Sequence, residues 1–98
     1  MGRPGLVSVT DHAVERYRQR VRGTLDPRTE VAARVGRAVA AGRVSPGERG
    51  ALLVRDVRLP SLVFVCMHDR PGDRIVVVSL WEEGEDAAVP RKWTAWRT

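Results

Sequence analysis

His12, Arg16 and Arg20 are spaced four residues apart, the interval that stacks side chains on one face of an α-helix. An imidazole titrates near neutral pH and moves protons, while guanidinium forks hold phosphate oxygens. Together they suit chemistry at a phosphodiester. A ribose 2′-hydroxyl would attack the adjacent phosphate, His12 would act as the acid/base group, and Arg16 and Arg20 would stabilise charge on the phosphorane. Arg18 and Arg22 add cations to the same segment. Near the other end, Arg91, Lys92, Trp93 and Trp96 interleave cations with indoles, which can bind backbone phosphates and stack bases. Plainer readings fit the same residues. Arg16 and Arg20 can form a solvated face paired with Glu15 or Gln19, with His12 helping to cap the helix. The tryptophan segment can fold back over exposed apolar surface.

The other residues capable of chemistry point to less. Cys66 alternates with Phe64 inside an apolar run and reads as a buried thiol rather than a nucleophile. His68 follows it, but one cysteine and two histidines without paired ligand spacing make no metal site. Tyr17 falls on an apolar stripe and reads as core. No cofactor motif is present.

Charge is distributed unevenly. The first 43 residues hold nine arginines against Asp11, Glu15, Asp26 and Glu30, a surplus of five that accounts for the whole net charge of +5. The remaining 55 residues balance, with Glu82, Glu83, Glu85 and Asp86 clustered after the last apolar run. A basic face in the first half would attract polyanions, so RNA or another nucleic acid is the expected partner. That acidic cluster is expected to leave at a sheet corner, without pairing with Arg16, Arg18 or Arg20. Ninety-eight residues, 43% of them hydrophobic, make a single domain spanning 1–98. Membrane-spanning, disulfide-framework and repeat architectures are excluded by the short apolar runs, the single cysteine and the absence of a period. The first residues lack the apolar stretch of a signal peptide, and a cytoplasmic location is expected.

The elements that would position these residues follow from punctuation and periodicity. Thr10 and Asp11 cap a helix over 11–22, with Ala13, Val14, Tyr17 and Val21 as its apolar stripe and Gly23 as its stop. Asp26 and Pro27 open a second helix over 27–42, carrying Val31, Val35, Ala38 and Val39 and ended by Gly42. Gly36 within it suggests close packing at that point. Short runs rich in Val, Leu and Ile over 51–57, 62–68 and 74–81 read as antiparallel strands. Leu6 to Val9 can add a fourth strand or simply lead into the first helix. The expected fold is α+β, with two N-terminal helices packed on a three- to four-stranded antiparallel sheet and a tail over 87–98.

The segment from His12 to Arg20, with Ala13 and Tyr17 between, followed by a second helix and by strands closing on Val76, Val77, Leu80, Trp81 and Glu82, resembles the RelE-like superfamily. The nearer branch is the BrnT-type toxins and related short domains. The resemblance implies a RelE-like fold and a metal-independent endoribonuclease of the toxin–antitoxin type, silenced by an antitoxin partner. Gly23 to Pro27 is longer than the turn those toxins often use, and lysines are nearly absent. A second class of function fits the basic face equally: a non-catalytic regulatory or binding module of phage or mobile-element type, contacting nucleic acid or an acidic protein.

Overall fold

In a computed structural model, which describes residues 6–69 and 73–83, the chain begins with strand β1 (Leu6–Val9) and turns at Thr10 into helix α1 (Asp11–Arg20). The Thr10 hydroxyl accepts from the Ala13 amide at 3.2 Å and so caps the helix. Helix α1 ends two residues earlier than its periodicity predicts. Val21 is extended, its amide still bonded to the Tyr17 carbonyl, and Gly23 at φ +82° turns the chain away. Helix α2 (Pro27–Ala40) is opened by Asp26, whose carboxylate accepts from the Thr29 amide and hydroxyl. It closes in a Schellman motif: the Arg43 amide donates to the Ala38 carbonyl, the Gly42 amide donates to Val39, and Gly42 takes φ +76°.

The sheet differs from the expected antiparallel meander. It has five strands in the order β1-β5-β4-β3-β2 and is mixed. Strands β3 (Leu52–Arg55), β4 (Leu62–Asp69) and β5 (Arg74–Glu82) form the expected antiparallel core. Strand β1 joins the edge parallel to β5, pairing Leu6 through Val9 with Arg74 through Val77. At the other edge β2 (Val44–Pro46) pairs antiparallel with β3. Pro46 is tolerated in β2 because this strand has no outer neighbour among the described residues.

One bulge reshapes β5. Cys66 pairs with Val77 and Val65 with Ser79, so Val78 is an extra residue. The bulge lets Ile75, Val77 and Leu80 all face inward despite their uneven spacing. They join Leu62, Phe64 and Cys66 of β4, Val54 of β3, Ala13 and Tyr17 of α1, and Val31, Val35 and Ala38 of α2 in one core. A single core shared by both helices places them on the same side of the sheet. Among the described residues, no helix is long and apolar enough to cross a membrane.

An added Cβ at Gly36 would meet nothing within 4 Å, so the expected close packing is absent. Gly36→Ala should therefore stabilise the protein by about 1 kcal/mol through helix propensity alone, read as a raised urea midpoint. Cys66 is fully buried, and burial pushes its thiol up to about 12. The reactive thiolate is then scarce at pH 8, and a thiol reagent should modify native protein far more slowly than urea-unfolded protein. Equal rates would contradict the burial.

Candidate nucleic-acid interface

Helix α1 is held against a length of sheet edge that no strand among the described residues covers. Strand β1 stops opposite Val77, and among the described residues no other strand pairs with the rest of β5 on that side. Thr10 takes up the first of these carbonyls, donating its amide to Val77 O at 3.0 Å and its hydroxyl to the same oxygen at 3.1 Å. One and a half turns along α1, Arg16 donates from Nη2 to the Leu80 carbonyl at 3.2 Å. Arg16 thus does for β5 what a further residue of β1 would have done. Its Nε is buried and has no hydrogen-bond partner among the described residues.

Of the predicted trio, His12 is exposed on the first turn of α1, and Arg16 and Arg20 are half-buried on the turns beyond. His12 makes no hydrogen bond or ion pair among the described residues. Arg18 and Arg22 are exposed. They line one shallow depression of about 400 Å³ with Gln19, Val21, Gly23 and Thr24, where α1 gives way to the loop. Neither Arg16, Arg18 nor Arg22 is ion-paired among the described residues. Glu83 lies elsewhere: it pairs with Arg55 at 2.7 Å, and that guanidinium holds its carboxyl below the usual range. Arg91, Lys92, Trp93 and Trp96, together with Glu85 and Asp86, lie outside the described residues.

Beneath this surface runs a polar chain that sequence reading missed. The Tyr17 hydroxyl donates to Glu30 at 2.8 Å and accepts from Arg34 Nε at 2.9 Å. Arg34 Nη1 donates to Asp56 Oδ2 at 2.7 Å, and the same oxygen accepts from the amides of Arg58 and Leu59. Thr24, on the wall of the depression, donates to Glu30 at 3.1 Å. The chain therefore fixes the loop after α1 to α2 and to the turn after β3. Burial, reinforced by the Glu30 hydrogen bond, pushes the Tyr17 phenol up to about 12. It stays protonated near neutral pH and is a strut, not a proton carrier. Asp56 carried a sequence signal: a lone aspartate ending an apolar run, two residues before Arg58 and three before Leu59, forms an Asx turn.

Comparison with protein-family models, with curated proteins and with solved structures returns no match for this chain.

The remaining histidine lies apart from α1. His68 sits on β4 with Nε2 3.6 Å from Asp73, beside the Arg74–Asp69 pair at 2.8 Å. Among the described residues, no group of three or more His, Cys, Asp or Glu side chains is placed to hold a metal.

Proposed function

We propose that this domain binds RNA through the C-terminal end of α1, with Arg18 and Arg22 contacting backbone phosphates. The observation that supports this most is how the arginines are used. Arg16 serves the β5 edge and Arg34 the buried carboxylate. Arg28 binds the Val9 carbonyl and Asp11, Arg55 binds Glu83, and Arg74 binds Asp69. Arg18 and Arg22 are exposed and, like Arg43, Arg49 and Arg58, make no ion pair among the described residues, but these two share one depression whose loop is braced from below. Unpaired guanidiniums on a rigid support lose little on meeting a phosphate, because no internal ion pair has to be broken. The RelE-like resemblance of the same helix favours RNA over an acidic protein.

Cleavage is a second reading, favoured by one feature. His12 is exposed, makes no hydrogen bond or ion pair among the described residues, and lies one helical turn from Arg16. A phosphate held beside the exposed His12 would place the adjacent 2′-hydroxyl where the imidazole can move the proton, with Arg16 close by as a cation. Incubating labelled RNA with the protein in EDTA separates the two readings. Binding without cuts, unchanged in His12→Ala, leaves the domain a binding module. Cuts that vanish in His12→Ala establish the nuclease. No binding at all, with capture of an acidic peptide instead, would overturn both.

A further inference from the structure

The sheet has a second apolar face. Along β4, Leu62, Phe64 and Cys66 point to the helices, while Val63, Val65 and Met67 point the other way. A sheet with one face in water alternates apolar and polar residues, whereas a strand apolar on both sets is built to be covered twice. On this second side Leu53, Val65, Val78, Ser79 and Trp81 line a groove of about 810 Å³, walled by the turn that joins β2 to β3. Both α-helices lie on the opposite side of the sheet, and neither packs here.

The chain itself carries a suitable occupant. The described residues end at Glu83, two positions after Trp81 at the groove. Fifteen residues follow, 84–98, and they hold two of the three tryptophans, with Val89 and Pro90 before them. From Glu83 back to Ser79 is about 13 Å along the strand. The ten residues to Trp93 can span up to about 33 Å, so reach is no obstacle. An indole is the side chain with most apolar area to gain from such a groove, and a tethered one meets it at high effective concentration.

We propose that the segment after Glu83 returns across this face and seats Trp93 or Trp96 in the groove beside Leu53 and Val65. The tryptophan segment is then a second cover for the sheet rather than a base-stacking arm. This stands apart from the RNA reading, which rests on α1.

The test uses the full chain, isotope-labelled, in solution. Nuclear Overhauser contacts should join the indole of Trp93 or Trp96 to methyls of Leu53 or Val65. In Trp81→Phe, where only those two indoles emit, acrylamide should quench several-fold less than in urea. Adding Leu53→Asp should restore full quenching while far-UV dichroism persists. Should Leu53→Asp unfold the protein, the Overhauser contacts still decide the matter. Two results would overturn the proposal. One is indoles without contacts to the sheet and quenched as in the unfolded chain. The other is contacts seen only between differently labelled copies, which would assign the groove to a second molecule.

Discussion

Asp56→Ala should cost about 3 kcal/mol of unfolding free energy, the low end of what breaking a buried ion pair costs. The carboxylate is fully buried, and one of its oxygens serves three donors: Arg34, and the amides of Arg58 and Leu59. Its loss strands a cation and two amides at once. The low end applies because the Arg34 side chain keeps 19% of its exposure, and water there screens part of the loss. Native domains have only about 5–15 kcal/mol in hand, so this single change moves the urea midpoint by a large fraction of its value. Asp56→Asn, which can keep the amide bonds, should cost less. If Asp56→Ala shifts the unfolding free energy by under about 1 kcal/mol, the buried chain from Tyr17 to Asp56 is not the brace described.

Reversing both exposed cations should have the largest effect on function. Arg18→Glu with Arg22→Glu is expected to weaken RNA binding about 100-fold or more, since each charge-assisted contact is worth about 1.5–3 kcal/mol and reversal adds repulsion. The two residues share one depression, so Arg18→Glu alone would set a carboxylate near Arg22 and give more than half the loss. A control is built into the geometry. Arg18 sits in the last turn of α1, where a cation complements the helix dipole by about 0.3–1 kcal/mol. Comparing Arg18→Gln and Arg18→Glu at matched stability separates lost helix from lost binding. Arg43 is exposed but does not line the depression, so Arg43→Glu should change affinity far less.

How far the sequence reached depended on how local each signal was. Thr10, Asp26 with Pro27, and Gly42 mark helix ends through bonds made within a few residues, and those ends are found where expected to within two residues. The three central strands were legible for the same reason. The sheet edges were not. That β1 lies parallel to β5 depends on a pairing between residues 68 apart, and nothing in Leu6 to Val9 specifies its partner. The role of Arg16 hangs on that pairing. The open carbonyl at Leu80 exists only because β1 stops at Val9, so periodicity could place Arg16 on the right face but not against β5. Val78 was hidden likewise, since a bulge shows only when the partner strand is known. Gly36 misled in the opposite direction, because a glycine in a helix does not reveal whether its neighbour is packed or open. Tyr17 was rightly read as core, but its hydroxyl partners on α2 required the angle between two helices.

The central claim, that Arg18 and Arg22 hold RNA phosphates, is tested most directly by the salt dependence of binding. The affinity of a labelled single-stranded RNA is measured across a series of potassium chloride concentrations for the native chain and for Arg18→Ala with Arg22→Ala. The logarithm of affinity should fall linearly with the logarithm of salt, and removing two phosphate contacts should flatten the slope by about 1.4. Parallel lines for the two proteins, or a native affinity indifferent to salt, would contradict the account.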